Sequence, residues 1–364
     1  MDNPLLPKWT GPYGGVPPFD RVKVEHFKPA LEAAMAEHLA EVERIAADPA
    51  APNFENTFAA LERSGRTLDR VGAVYNVFAS TVRTPEFQAI EIDMSPRLAA
   101  HRDKIVQNAR LFKRIAAVYE GPERARLDTE QQRLAWDKYT DFVRTGARLD
   151  EGAKKKLGDI NQRLATLYTQ FSQNVLADES RFVLVDAESE LEGLPEALRS
   201  SAATEAASRG HAGKWAIVNT RSSVEPLLSY AANRSLREKV WREFVQRGDN
   251  GDAHDNKAVI GEIVRLRHER ARLLGYPTHA HWRLEKSMAR SPERALELMQ
   301  ALWTPALARA KEEIADMQAL ADKLGHGIAI EPWDYRFYAE KVRAERYQID
   351  NDEVAPYLQL DKLR

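Results

Sequence analysis

Histidine is the side chain best suited to hold a catalytic metal or move a proton near neutral pH, and the chain has nine: His26, His38, His101, His211, His254, His268, His279, His281 and His326. A helix offers two imidazoles to one metal when they lie four residues apart with a glutamate between them as general base, the HExxH pattern. No pair here is separated by three or four residues, and the sequence contains no HExxH. Its nearest approach, His268-Glu269-Arg270-Ala271-Arg272, puts an arginine at the second ligand position, a permanent cation that repels a metal. His268 is therefore read as an ordinary helix residue. His279-Ala280-His281 has the spacing of a strand or loop chelate, and after Gly275-Tyr276-Pro277 it falls in a loop or in the first turn of a helix. With no third ligand nearby it reads as structural, and a metal site is the competing reading. Asp249, Asp252, His254 and Asp255, with Gly248 and Gly251, form an acidic loop whose spacing does not match an EF-hand. It reads as a solvated turn.

Other chemistries are missing as well. Gly210-His211-Ala212-Gly213-Lys214 runs into Trp215 where a phosphate-binding loop needs Ser or Thr, and neither GxGxxG nor GxSxG occurs. With no cysteine, disulfides, thiolate metal sites and cysteine nucleophiles are excluded. Acidic residues are plentiful, but nothing marks one pair as acid and base. Trp303, Trp333, Tyr335, Phe337 and Tyr338 read as packing between helices, although a peptide-binding wall uses similar residues. No catalytic or metal-ligating residue is assigned, and substrate-binding residues are left open. A net charge of -2, from 53 basic and 55 acidic residues, gives no field that favours nucleic acid. The longest basic run, Lys154-Lys155-Lys156, reads as a solvated helix face.

The elements that would position such residues are mostly helices. Residues 1–23, with five prolines and several glycines, form an extended N-terminal arm. Phe27, Leu31, Met35, Leu39, Val42 and Ala46 then share one helical face. A second block repeats this period from Phe54 to Val82. Pro85 and Pro96 punctuate the next stretch, a helix through Ile105, Leu111, Ile115 and Val118 stops at Gly121-Pro122, and another spans Asp128 to Arg144. The stripe Leu157, Ile160, Leu164, Leu167, Phe171 and Val175 calls for a helical hairpin partner beside it. Segments 181–185 and 214–218 are the β-like material, a small patch separated by a helix from Pro195 to Arg209. Helices resume over Val224–Arg247 and Lys257–Leu274, and Ser291-Pro292-Glu293 starts a last long one that reaches Leu324. The fold class is mainly α with a minor β insertion. The expected organisation is the arm, a helical region over 24–177, a small mixed segment over 178–223 and a second helical region over 224–364. Neither a signal-peptide pattern nor a membrane-length apolar stretch occurs, so a cytoplasmic protein without a membrane partner is expected.

Several segments together carry a resemblance. Asn3-Pro4-Leu5-Leu6 with Pro18-Phe19-Asp20, Asn56-Thr57 through Ala60-Leu61-Glu62-Arg63-Ser64-Gly65, and Leu273-Leu274-Gly275-Tyr276-Pro277 before Trp282 are similar to the peptidyl-dipeptidase (dipeptidyl carboxypeptidase) branch of the thimet-oligopeptidase family of zinc metallopeptidases. So are Met288-Ala289-Arg290-Ser291-Pro292-Glu293 and Pro332-Trp333-Asp334-Tyr335-Arg336-Phe337-Tyr338 with Lys341-Val342-Arg343. The resemblance implies one helical lobe of a two-lobed enzyme whose deep channel admits short peptides and whose zinc-activated water releases C-terminal dipeptides. The HExxH, the third-ligand glutamate and the transition-state tyrosine and histidine of that family lie in its C-terminal half, so none maps onto a residue here. Asp352-Glu353-Val354-Ala355-Pro356-Tyr357-Leu358-Gln359-Leu360-Asp361-Lys362-Leu363-Arg364 looks like the run-up to the next family segment.

The expectation is therefore the N-terminal portion of a zinc peptidase, with zinc and short peptides belonging to the full-length enzyme, no zinc bound by this chain, and no activity alone. Self-association through faces left uncovered is expected. The alternative is a non-catalytic helical module that binds a peptide or partner.

Overall fold

The computed structural model describes residues 3–12, 15–82, 84–347 and 357–363; the expected run-up from Asp352 to Pro356, with Arg364, lies outside them. The helices are α1 (Phe27–Ala46), α2 (Ala60–Arg63), α3 (Arg66–Thr81), α4 (Pro85–Val106), α5 (Ala109–Glu120), α6 (Thr129–Arg144), α7 (Glu151–Glu179), α8 (Glu196–Ser208), α9 (Arg221–Tyr230), α10 (Arg234–Val245), α11 (Lys257–Leu273), α12 (His279–Leu284), α13 (Pro292–Lys323) and α14 (Tyr335–Tyr347). Strands β1 (Phe182–Val185) and β2 (Trp215–Val218) pair antiparallel, with Phe182 opposite Val218 and Val185 opposite Trp215. The class is mainly α with a small β patch, as the periodicities imply. Contacts divide the chain into two compact units, each assembled from two stretches: Met1–Gln173 with Ala258–Ser291, and Asn174–Lys257 with Pro292–Arg364.

In the first unit the α1 face works as its spacing requires. Phe27, Leu31 and Met35 pack with Val71, Val74 and Tyr75 of α3 and with Phe87 and Met94 of α4. The N-terminal arm joins this core through Leu5, which is fully buried, with Leu6 and Trp9 packed against the cluster. The far end of α1, at Val42, Ile45 and Ala46, enters a second core with Phe58, Leu111, Ile115, Val118 and Phe142. In the second unit the inward residues of the strands, among them Val183, Val185 and Ile217, pack with Leu194, Leu227, Leu236 and Val240 from the surrounding helices.

Several boundaries differ from the periodic reading, each for a local reason. The block from Phe54 to Val82 is not one helix: it breaks at Ser64-Gly65, where Gly65 adopts φ 76° and the His38 ring lies 2.8 Å from where a Cβ would sit. Pro96 does not interrupt. It lies within α4, whose burial of Phe87, Met94, His101 and Val106 outweighs the roughly 3 kcal/mol that an internal proline costs. Ile105 lies in the last turn of α4, and Asn108 begins α5 by accepting a hydrogen bond from the Leu111 amide at 3.0 Å. Asn233 likewise divides Val224–Arg247 into α9 and α10, accepting from the Leu236 amide at 3.1 Å. The stripe on α7 finds no hairpin neighbour. Ile160, Leu164 and Leu167 pack instead on Val259, Ile263 and Leu266 of α11, about a hundred residues away in sequence, while Phe171 stays exposed. Helix α14 is an element the spacing analysis missed.

Candidate functional site

The residues singled out for chemistry are dispersed, and most are occupied by their own neighbours. On α11, His268 and Arg272 are exposed, and Glu269 is ion-paired with Lys156 at 2.7 Å and Arg265 at 3.3 Å. The hydrogen bond from Lys156 holds the Glu269 carboxyl below its ordinary range, which suits an ion pair and not a general base. The segment around His279 is the first turn of α12, capped by Thr278 through the His281 amide at 3.3 Å. At this i, i+2 separation on a helix the two imidazoles diverge. His281 Nδ1 lies 2.8 Å from the Thr278 hydroxyl, whereas the His279 ring packs at a 37° tilt against Trp282, with ring centroids 5.5 Å apart. Burial, followed by the charges of Arg270, Arg267 and Arg283, pushes His279 down to about 4.

The acidic loop spends its carboxylates on itself. Lys257 pairs with Asp249 and with Asp255 at 2.9 Å, Arg181 pairs with Asp252 at 3.4 Å, and Asp255 accepts the Gly251 amide at 2.9 Å. Backbone and side-chain hydrogen bonds from Lys257 hold the Asp255 carboxyl below its ordinary range. The Gly210–Lys214 turn leads into β2 and not into a helix, and Lys214 pairs with Asp186 at 2.6 Å. The basic run is not uniformly solvated: Lys154 is buried, donating to Glu151 at 3.2 Å and to the Gln107 carbonyl at 3.4 Å. Its butyl stem faces the packed side of α7, the helical phase it shares with Leu157. Among the described residues no group of three or more His, Cys, Asp or Glu side chains is arranged to hold a metal ion.

The aromatic cluster separates into different roles. Phe337 and Tyr338 are core, packed with Met317 and Ala321, and the Tyr338 hydroxyl lies 2.6 Å from His326 Nδ1. Trp303 is 68% exposed on α13. Between Trp333 and Tyr335 sits a heavily bonded carboxylate. Asp334 is fully buried and receives Arg234 Nε at 3.1 Å and Nη2 at 2.8 Å, Arg237 Nη2 at 2.8 Å and the Glu331 amide at 3.1 Å. Burial alone would raise this carboxyl; the bonds from Arg234 and Arg237 outweigh it and hold the group below the ordinary range. Arg237 is itself buried, donating also to the Ala231 and Ala232 carbonyls at 2.7 and 3.1 Å. This arrangement fastens the start of α10 to the start of α14.

One polar pocket of the first unit was not foreseen. Asp103 on α4, Asn161 and Tyr168 on α7, Arg270 on α11 and Trp282 on α12 line a cavity of about 210 Å³ together with Arg102, Thr145 and the apolar side chains of Val106, Leu157 and Leu164. Asn161 Nδ2 donates to Asp103 Oδ1 at 2.8 Å, and Arg270 Nη1 donates to Asn161 Oδ1 at 3.2 Å. The Arg270 guanidinium lies over the Trp282 ring, 4.7 Å from its centroid. Burial pushes Asp103 up to about 6 against the Asn161 hydrogen bond and the charges of Arg102 and Arg270. No spacing rule reports such a group, because its members come from four helices.

Similarity to known proteins bears on what these sites belong to. Residues 227–363 match Peptidase family M3. The chain is 36% identical over 360 residues to dipeptidyl carboxypeptidase of Escherichia coli, covering 99% of this chain and 53% of that protein. It is 31% identical over 379 residues to the probable cytosolic oligopeptidase A of Arabidopsis thaliana (99% and 52%), and 30% identical over 368 residues to oligopeptidase A of Salmonella typhimurium (100% and 53%).

The match is to the M3 peptidases.

The chain spans about half the length of these curated relatives. The resemblance read from its segments is thus matched along almost the whole chain. The M3 match opens in α9 and contains Arg234, Arg237 and Asp334, so the Pro332–Tyr338 segment that carries part of the resemblance is, in this chain, a packing and ion-pairing joint. M3 peptidases are zinc enzymes as a family. The described residues offer no matching donor set, and no zinc step is derived from them. No described helix is long and apolar enough to cross a membrane.

Proposed function

We propose that these 364 residues serve a cytoplasmic zinc peptidyl-dipeptidase as helical scaffold and channel wall, and that removal of C-terminal dipeptides requires polypeptide they do not contain. The observation that carries the proposal is a pairing of two facts. The chain is 36% identical along 99% of its length to dipeptidyl carboxypeptidase, yet its sequence has no HExxH and its described residues hold no three-ligand group. Zinc supplies the activated water in this chemistry, and a scaffold without the donor set is inactive alone. Purified chain incubated with an N-blocked short peptide should release no dipeptide. Chelator-sensitive release from that preparation refutes the proposal.

Helix α13 supports the expectation of self-association. From Leu296 to Ile314 it exposes Leu298, Met299, Leu302, Trp303 and Leu307, more contiguous apolar side chains than a monomer surface usually leaves uncovered. The same face favours the second reading, a non-catalytic module that takes up a helical partner.

A further inference from the structure

We propose that the exposed stretch of α13 pairs antiparallel with the same stretch of a second copy of this chain, with Met299 of each copy seated against Ala310 of the other. The proposal rests on the reading of α13 as a self-association face, whose partner and direction it names, and it is independent of the peptidase reading.

Every residue of α13 from Leu296 to Glu312 is exposed. A helical segment of this length without tertiary contact is marginal in water, so packing has to hold it. Its apolar residues are not scattered. Leu296, Met299, Trp303, Ala306, Ala310 and Ile314 recur at steps of three and four, which places them in one stripe. Farther along the same stripe, Met317 and Ala321 are buried with Phe337 and Tyr338 of α14. The stripe is therefore a packing face that is covered at one end and bare at the other. Arg309, at its side, pairs with Glu312 at 3.0 Å and Glu313 at 3.1 Å on its own helix and asks for no counter-ion from a partner.

Spacing within the stripe selects the partner and its direction. Met299 and Trp303 are bulky and lie four residues apart; Ala306 and Ala310 are small and lie four residues apart. Reversing a second copy about the point between Thr304 and Pro305 sets Met299 against Ala310 and Trp303 against Ala306 at once. Because the operation is two-fold, both pairs form twice. Leu296 falls beside Ile314 at each end of the seam. Bulk meets a hollow at the central contacts, as close packing requires. A parallel pair in register would instead set Trp303 on Trp303 and leave the alanines facing a gap. A large apolar side chain carries about 60–120 Å² of buriable surface, and Leu296, Met299, Leu302, Trp303, Leu307 and Ile314 are 42–68% exposed. Two copies thus bring together roughly 400–800 Å², which with the alanines and flanking stems approaches the roughly 1,000 Å² of a specific interface. A dissociation constant of about 10–100 µM is expected.

The chain has no cysteine, so introduced thiols report the pairing without background. Helices in contact through alanine lie about 8 Å apart, which brings facing Cα atoms within disulfide reach. In the proposed pair, Met299 and Ala310 each lie about 16 Å along the axis from their own counterparts, beyond that reach. Met299→Cys and Ala310→Cys, oxidised separately at about 0.5 mM, should stay largely monomeric on non-reducing gels, and an equimolar mixture of the two should give at least about 5-fold more disulfide dimer. Crosslinking of Met299→Cys alone as strong as that of the mixture overturns the antiparallel pairing and leaves self-association standing. A monomer in light scattering of the unsubstituted chain at about 0.5 mM overturns both, and that measurement depends on no variant. Dipeptide release, or its absence, bears on neither.

Discussion

Replacing Asp334 by asparagine keeps the shape of the side chain and removes its charge, and the structure sets the size of the response. Asp334 is fully buried, and so, at 1% exposure, is Arg237. The carboxamide would leave the Arg237 guanidinium buried without its counter-ion and turn an NH2 group towards donors. Breaking a buried pair in this way costs about 3–5 kcal/mol. Arg234 is 38% exposed, so its share is that of a half-solvated pair, about 1 kcal/mol or less. Asp334→Asn should therefore cost several times as much as Arg234→Ala. Urea unfolding followed by tryptophan fluorescence reports on the joint directly, because Trp241 and Trp333 meet edge to face 5.7 Å apart beside it. The midpoint should fall by about 1–2 M for Asp334→Asn. The pH dependence has a definite sign. The folded carboxyl titrates below its unfolded counterpart, so its stabilisation is present above the ordinary carboxylate range and is lost as pH falls through the folded value. The unsubstituted chain should lose stability on acidification below about pH 4 more steeply than the variant. A cost below about 1 kcal/mol for Asp334→Asn, or an equal cost for Arg234→Ala, refutes the assignment of the pair as a buried joint.

Gly65→Ala places a Cβ 2.8 Å from the His38 ring at φ 76°, and thermal unfolding should register a loss of about 1–3 kcal/mol. His101, buried and 3.1 Å from His38, is pushed down to about 4 by burial and then by His38 and Lys104. The unfolded chain then binds more protons between about pH 6.5 and 4, so stability should fall as pH drops through that window, with a shallower slope in His101→Gln. The double substitution Leu302→Glu, Trp303→Glu on α13 should shift size-exclusion light scattering towards monomer while leaving helical circular dichroism unchanged; an unaltered oligomer disproves docking through this face.

Much of the fold was legible because helical periodicity is a local property. The α1 face, the helix from Asp128 to Arg144, the Ser291-Pro292 start of α13 and the two strands all depend on neighbours within a turn or two. Some errors were avoidable at the same range. Gly65, Asn108 and Asn233 are each a residue type that ends or begins a helix, and a stricter reading of caps would have divided those blocks correctly. Pro96 went the other way, because the burial that overrides its penalty comes from packing and not from the helix.

The absence of HExxH, the absence of cysteine and the helical class were settled by sequence alone, since each depends on residue identity or short-range spacing. The partner of α7 was not, because hydrophobic stripes specify that a face must be covered but not by what; α11 covers it from about a hundred residues away. Nor were the buried charges. Asp334, Arg237 and Lys154, and the half-buried Asp103, look like surface residues in any local window, and burial and partners acquire meaning when distant helices close around them. Desolvation and Coulomb energy depend on surroundings assembled in three dimensions, and so the candidate pocket and the joint at Asp334 belong to the tertiary structure.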